Sequence, residues 1–157
     1  SSSDRQQIRI DHAKTELKGC KILVVEDNEI NQELAKELLI MNGMLVETAK
    51  NGKEAISLLN NMEFDGILMD CQMPVMDGFE ATKKIREQQQ YKDLPIIALT
   101  GNTSEQEKTD CLDNGMNDFL SKPVKPKQLL DVLQKWIPGF NNSHSTSTIE
   151  NTPNFNQ

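Results

Sequence analysis

The stretch FDGILMDCQMPVMDG, residues 64–78, combines the pattern of a buried strand with an acid at its end. Its apolar run, residues 67–69, predicts a strand that is covered on both faces. The run ends on Asp70, and a loop that contains proline and glycine follows. A carboxylate at such a position can cap a helix, lie in solvent or take part in chemistry at the edge of a sheet.

The size and charge of the chain limit the functions it can have. Its 157 residues fit one domain. The net charge of -7 opposes broad electrostatic binding to nucleic acid or anionic lipid. No apolar run approaches the roughly 20 residues that span a bilayer, and no signal-peptide pattern is present. We expect a cytoplasmic domain with protein or cation partners and no direct membrane contact, although a parent protein could carry a membrane anchor elsewhere.

The cysteines and histidines do not form the pattern of a metal site or a disulfide. Cys20, Cys71 and Cys111 are odd in number and widely spaced, which favours reduced, buried thiols. His12 and His144 lie in polar tails. A histidine-based active site is therefore not expected.

Both ends of the chain predict linkers. Residues 1–18 are polar and begin with SSSD instead of methionine, which is typical of a piece cut from a longer protein. Residues 139–157 are rich in Asn, Ser and Thr and carry too few apolar side chains to order themselves, so we expect a disordered linker or tail. The folded domain is predicted over residues 19–138.

Within this domain, short apolar runs alternate with helical patterns five times. The mostly unbroken apolar character of the runs predicts parallel strands in an α/β, doubly wound sheet. In such a sheet, ligands bind at the carboxyl ends of the strands, where the winding reverses. The candidate strands are residues 20–25, 44–48, 66–70, 95–99 and 118–120.

The segments between the strands carry the start and stop signals of helices. Gly43 and Gly115 are placed as C-terminal caps. Ser104 and Glu107 have the spacing of a capping box, and Pro126 suits the first turn of the last helix. Five strand-helix units result.

Polar residues follow several of the strands at the same predicted edge. Glu26 and Asp27 follow the first strand, Asp70 ends the third, Thr100 follows the fourth, and Lys122 follows the fifth. Each has a simpler explanation alone: the acids can complement a helix N-terminus, the hydroxyl can cap a turn, and the lysine can be solvated. These explanations do not account for their convergence at one edge.

The combination favours phosphoryl chemistry. Three carboxylates in one place repel one another by about 4 kcal/mol per close pair at an intermediate dielectric, so a divalent cation should bind. Because only oxygen ligands are offered, the expected cation is Mg²⁺. Carboxylates, Mg²⁺, lysine and hydroxyl together can hold a phosphoryl group while the central acid, Asp70, attacks it.

Four motifs resemble the receiver domain of two-component response regulators. The resemblance covers residues 19–138 and is strongest to receivers of hybrid histidine kinases. It implies a flavodoxin-like, five-stranded parallel sheet of order 2-1-3-4-5 with five helices. The motifs are ILVVEDNEINQ, ILMDCQMPVMDG, IIALTG and FLSKPV.

The resemblance implies a role for each site residue. Asp70 would accept the phosphoryl group, and the domain would catalyse its own phosphorylation and dephosphorylation. Asp27 would bind Mg²⁺ directly, Glu26 mainly through water, and Gln72 through its backbone carbonyl. Thr100 and Lys122 would hold the phosphoryl oxygens, and Phe119 would change its rotamer on activation. The peptide bond between Lys122 and Pro123 would be cis.

A docking surface for the phosphodonor is predicted at the start of the first helix. The core stripe of this helix is best formed by Leu34, Ala35, Leu38 and Leu39, which leaves Ile30 off the stripe. We expect Ile30 to act as an apolar anchor with a polar rim. The donor is expected to be a histidine kinase or a histidine phosphotransfer protein. The other expected docking residues are Asn31, Pro123, Val124 and Pro126.

Two other functions compete with the phosphorylation switch. An aspartyl-phosphate phosphatase of the haloacid dehalogenase type generally has a second acid two residues after the nucleophile, where this chain has Gln72. A scaffolding receiver that is never phosphorylated usually lacks an acid or the lysine, whereas this sequence keeps both. A nucleotide-binding fold is disfavoured because no glycine-rich loop follows the first strand.

Overall fold

The computed structural model describes residues 19–137, except residues 74, 102 and 103. The predicted linkers, residues 1–18 and 139–157, lie outside the described residues. None of the helices in the described part is long and apolar enough to cross a membrane.

Strands and helices alternate along the described chain, and a short 3₁₀ helix, Gln89–Tyr91, precedes the fourth strand. The five strands start and end within one residue of the predicted positions. The strands are β1 Lys21–Val25, β2 Leu45–Ala49, β3 Gly66–Asp70, β4 Ile96–Thr100 and β5 Asp118–Ser121. The α-helices are α1 Glu29–Met41, α2 Gly52–Asn61, α3 Gly78–Arg86, α4 Glu105–Asp113 and α5 Pro126–Trp136.

The strands form one parallel sheet of order β2-β1-β3-β4-β5, which confirms the predicted fold. The register pairs Asp70 with Leu99 and Thr100 with Ser121. The carboxyl ends of β3, β4 and β5 therefore lie along one edge. The winding reverses between β1 and β3, so the crevice of this fold opens beside Asp70.

Each face of the sheet is covered by a separate apolar layer. All residues of β3 and β4 are buried, as their unbroken apolar sequences predict. On one face, side chains of β1, β3 and β4 pack with residues of α2, α3 and α4. On the other face they pack with residues of α1 and α5. The two layers cover the faces of the sheet, so the polar side chains that end or follow the strands lie at its carboxyl edge.

The predicted start and stop signals lie at the ends of α1, α4 and α5. Ser104 caps α4 by accepting a hydrogen bond from the Glu107 N–H, and Pro126 occupies the first turn of α5. Gly43 and Gly115 follow α1 and α4 with φ of 83° and 100°, in the left-handed region that glycine adopts without a Cβ penalty.

Two burial predictions need correction. Leu34 is 42% exposed, whereas Ala35 and Leu39 are buried. The reason is that α1 presents Ala35 and Leu39, four residues apart, to the sheet, and Leu34 lies about 100° around the helix from Ala35. Cys20 is only partly buried, since it precedes β1 at the amino edge of the sheet, although Cys71 and Cys111 are buried and all three are free thiols.

Candidate functional site

The site lies at the carboxyl edge of the sheet and is formed by residues that end or follow the strands. Asp70 is the last residue of β3, while Glu26 and Asp27 come directly after β1. One carboxylate oxygen from each of these acids lies within 4.8 Å of the others. The structure thus brings together the three acids that the sequence placed at this edge.

Lys122 brings a positive charge into this acidic cluster. Its Nζ lies 3.1 Å from Asp70 Oδ1 and 3.6 Å from Glu26 Oε1. The peptide bond between Lys122 and Pro123 is cis, as the resemblance implies. Burial alone would lower the pKa of Lys122, but its hydrogen bond to Asp70 and the nearby carboxylates outweigh that effect and raise the pKa.

Two of the acids are removed from solvent. Glu26 and Asp70 are each 1% exposed, whereas Asp27 is exposed. Burial, followed by the adjacent Asp70 carboxyl group, raises the pKa of Glu26 to about 7, although the Asn28 N–H and Lys122 oppose this shift. A cation bound beside these two buried carboxyl groups would relieve the repulsion between them.

The donor set of the cluster fits Mg²⁺. Glu26 Oε2 accepts a hydrogen bond from the Asn28 N–H at 3.1 Å, and Asp70 Oδ1 accepts one from the Gln72 N–H at 3.2 Å. The other two oxygens, Glu26 Oε1 and Asp70 Oδ2, are buried without a hydrogen-bond partner in the described part of the chain. Buried carboxylate oxygens that lack donors are suited to a hard cation.

Thr100 ends β4 and is buried at the same edge. Its Oγ1 donates a hydrogen bond to Glu107 Oε2 at 3.1 Å. Phe119, in β5, is partly buried and packs against the core layer of α2, α3 and α4, and Lys108 Nζ lies 5.3 Å from the centre of its ring. The sequence predicts Glu107 only as part of a capping box, and its contact with Thr100 is not apparent before the structure.

Gly78 was missed as a site residue, although it belongs to the quoted motif. It is the first residue of α3, and its N–H donates to the Cys71 carbonyl at 3.1 Å. A Cβ atom at this position would collide with the backbone carbonyl oxygen of Asp70. A glycine is therefore required for α3 to begin this close to the end of β3.

The predicted docking residues are only partly gathered by the fold. Asn31 and Leu34 of α1 line one small cleft together with Lys122, Pro123 and Val124. Ile30 and Pro126 do not line this cleft but are exposed, and Ile30 is 79% exposed. Leu34, which sequence analysis assigned to the core, therefore extends the exposed apolar surface that begins at Ile30.

The family model of the response regulator receiver domain matches residues 22–134. The chain belongs to this family. Hybrid signal transduction histidine kinase B of Dictyostelium discoideum is 44% identical over 121 residues, which cover 70% of this chain but 6% of that protein. The receiver domain thus corresponds to a small part of this much longer relative.

Solved structures show the same fold. The receiver domain of sensor histidine kinase PA1611 from Pseudomonas aeruginosa, crystallised with a magnesium ion coordinated in its active site cleft, is 43% identical with a TM-score of 0.71. The match covers 76% of this chain and 98% of that one. A chain in the co-crystal structure of the Saccharomyces cerevisiae histidine phosphotransfer protein Ypd1 with the Ssk1 receiver domain is 30% identical, with a TM-score of 0.73 and coverages of 86% and 96%.

Proposed function

We propose that this receiver domain accepts a phosphoryl group on Asp70 from a phosphohistidine of a partner protein, in a reaction that depends on Mg²⁺. The observation that carries the proposal is the arrangement around Asp70. Its buried carboxyl group ends the central strand, lies within 4.8 Å of two other carboxylates and is 3.1 Å from Lys122 Nζ.

The acids of the cluster would hold the metal ion. Asp27 and Asp70 would offer carboxylate oxygens, Glu26 would act mainly through water, and Gln72 would contribute its backbone carbonyl. When bound, Mg²⁺ supplies positive charge next to the phosphoryl oxygens and lowers the repulsion between them and the carboxylates. Asp70 Oδ2 and Glu26 Oε1, which are buried and accept no hydrogen bond within the described part of the chain, support this assignment.

The transfer itself depends on the position of Asp70. A carboxylate oxygen of Asp70 attacks phosphorus, an acyl phosphate bond forms, and the bond from phosphorus to the donor imidazole nitrogen breaks. The electron pair of the broken bond remains on the imidazole. Lys122 and Thr100 hold the phosphoryl oxygens. As Thr100 moves toward the phosphoryl group, Phe119 changes its rotamer. The added charge thereby changes the surface around α4, β5 and α5.

The donor would dock on the exposed apolar surface at the start of α1. Ile30 and Leu34 are exposed, and Pro123 and Val124 lie beside Lys122 at the site entrance. This arrangement suits a histidine-bearing helical bundle, either a histidine phosphotransfer protein or a kinase dimerisation domain. The co-crystal of Ypd1 with another receiver domain supports the choice of partner. We place the reaction in the cytoplasm, within a hybrid histidine kinase.

Intact-protein mass spectrometry tests the proposal. The chain is incubated with Mg²⁺ and acetyl phosphate, or with a phosphorylated histidine phosphotransfer protein, alongside Asp70→Asn. We expect one added phosphoryl group in the native protein and none in the variant. Equal uptake by the variant would show that Asp70 is not the acceptor, and no uptake by the native protein would favour the scaffolding alternative. Steady turnover of p-nitrophenyl phosphate would instead support a phosphatase.

A further inference from the structure

The hydroxyl group of Thr100 is engaged by a carboxylate that does not belong to the acidic cluster. Thr100 Oγ1 donates to Glu107 Oε2 at 3.1 Å. Glu107 lies in the first turn of α4, and its own N–H is held by the side chain of the N-cap residue, Ser104, at 3.2 Å. The helix start thus fixes the position from which Glu107 reaches the end of β4.

A threonine hydroxyl has a single proton to donate. In the structure, this proton is directed to Glu107. Under the proposed function, Thr100 has to donate to an oxygen of the phosphoryl group on Asp70. It cannot make both hydrogen bonds with one proton, so Glu107 and the phosphoryl group compete for the same donor.

The charge of Glu107 adds to this competition. Because the Glu107 carboxylate contacts Thr100 at the end of β4, its charge lies beside the neighbouring strand, β3, which ends on Asp70. A phosphoryl group on Asp70 brings nearly two further negative charges. The Glu107 carboxylate, which accepts the Thr100 hydrogen bond, would therefore be repelled by phosphorylated Asp70.

The first turn of α4 also contacts Phe119, the residue whose rotamer is expected to change on activation. Lys108, the neighbour of Glu107, lies 5.3 Å from the centre of the Phe119 ring and 3.5 Å from Glu105 Oε2. Release of the Thr100 hydroxyl from Glu107 would thus remove a contact of the first turn of α4. Lys108, in the same turn, lies over the Phe119 ring.

We propose that Glu107 is a positioning residue that holds the Thr100 hydroxyl in the unphosphorylated conformation, so that phosphoryl uptake has to displace this hydrogen bond. The inference rests on the proposed function of Asp70. Glu107 thereby weakens binding of the phosphoryl group and its analogues and favours the unswitched state. Substitution of Glu107 strengthens binding of the phosphoryl group and its analogues, because the Thr100 hydroxyl is then available to donate to them.

The test is a titration with beryllofluoride, an analogue of the phosphoryl group, in the presence of Mg²⁺ and followed by NMR. Glu107→Gln keeps the size of the side chain and the capped N–H but removes the charge. Glu105→Gln is the matched control, because Glu105 lies in the same helical turn, carries the same charge and has a side chain that is 93% exposed. Both substitutions are also made in a Thr100→Ala background.

We expect Glu107→Gln to bind beryllofluoride about 3- to 10-fold more tightly, because it loses a charge-assisted hydrogen bond to Thr100. Glu105→Gln should change the affinity less than about twofold, as expected for an exposed charge. With Thr100→Ala, the effect of Glu107→Gln should disappear. In the metal-free protein, the methyl resonance of Thr100 should shift in Glu107→Gln and not in Glu105→Gln.

Two results would overturn the inference while leaving the proposed function in place. One is an equal gain from Glu105→Gln and Glu107→Gln, which would reflect net charge alone. The other is a gain from Glu107→Gln that persists with Thr100→Ala. If the native protein binds no beryllofluoride with Mg²⁺ and takes up no phosphoryl group from acetyl phosphate, the proposed function fails and the inference fails with it.

Discussion

The ammonium group of Lys122 lies 3.1 Å from Oδ1 of Asp70, and the exposed fractions of the two side chains are 24% and 2%. Asp70 ends β3 and Lys122 directly follows β5, and these two strands are separated by β4, so the contact spans the carboxyl edge of the sheet. It places a positive charge against an acid that is almost fully removed from water. The contact should therefore matter for stability as well as for the proposed phosphoryl transfer.

Lys122→Met should lower the free energy of unfolding of the metal-free protein by about 1 to 3 kcal/mol, because Asp70 remains buried without its charged donor. Lys127→Met is the control, since Lys127 forms an exposed ion pair with Asp131 at 2.9 Å. That change should cost less than about 1 kcal/mol. Urea denaturation at neutral pH measures both, and an unchanged stability for Lys122→Met would contradict the expectation.

The stability of the metal-free protein should fall as the pH rises from about 4.5 to about 7, because the pKa of Glu26 is raised from 4.5 to about 7 in the folded state. Between these values the folded protein holds a proton that the unfolded chain releases, so each rise in pH favours unfolding. Glu26→Gln should remove this contribution. Thermal melts across the pH range test it, and a native protein whose melts match those of Glu26→Gln would contradict the assignment.

The fold could be predicted from the sequence because strands buried on both faces have unbroken apolar runs. The predicted segment 44–48 and the observed β2, Leu45–Ala49, differ by one residue, since hydrogen-bond register and not apolar character decides where a strand ends. The edge that carries Asp70 could be predicted because ligands of such a sheet bind at the carboxyl ends of its parallel strands, whereas the strand order was implied only by the resemblance to receiver domains. The bond from Thr100 to Glu107 could not be predicted, because it depends on side-chain conformations at the start of α4.

Arg86 illustrates a second contact that sequence reasoning did not find. Its guanidinium group donates to the carbonyls of Tyr91 and Leu94, each at 2.7 Å, to the Gly115 carbonyl at 2.9 Å and to Asn117 Oδ1 at 2.8 Å. The acceptors come from two loops far apart in the sequence. One planar group thus joins the end of α3 to the segments that precede β4 and β5.

Arg86→Met should lower the free energy of unfolding by about 2 to 4 kcal/mol, because several partly buried acceptors lose their donor. Lys84→Met is the control, since Lys84 is an exposed cation of the same helix. It should change stability by less than about 0.5 kcal/mol. Phosphorylation of the folded Arg86→Met protein by acetyl phosphate should stay near normal, and a large loss there would show that Arg86 also supports the site.

Gly78→Ala should destabilise the fold by about 1 to 3 kcal/mol and slow phosphorylation, because the added methyl group collides with the backbone carbonyl of Asp70. Gly101→Ala provides the comparison: Gly101 follows Thr100 beside the site, and a Cβ atom there would meet no atom of the described residues within 4 Å. Denaturation and acetyl phosphate labelling measure both variants. The explanation fails if Gly78→Ala and Gly101→Ala behave alike.

Ile30 offers a test of the proposed docking surface for a phosphodonor. It is 79% exposed at the start of α1, near the end of the sheet that carries Asp70, and the exposed Leu34 lies one turn further along the helix. An exposed apolar side chain contributes little to folding but becomes buried when a partner covers it. Ile30→Ala should therefore slow transfer from a phosphorylated histidine phosphotransfer protein by about 10-fold or more.

Phosphorylation of Ile30→Ala by acetyl phosphate should remain near normal, because the small donor does not need the surface of α1. Ile40→Ala is the matched control: Ile40 lies on the same helix and is 50% exposed, but it is near the opposite end. Its transfer rates should match those of the native protein with both donors. Equal losses with the two donors in Ile30→Ala would assign Ile30 to the support of the fold, whereas a loss confined to the protein donor would place the docking surface at the start of α1.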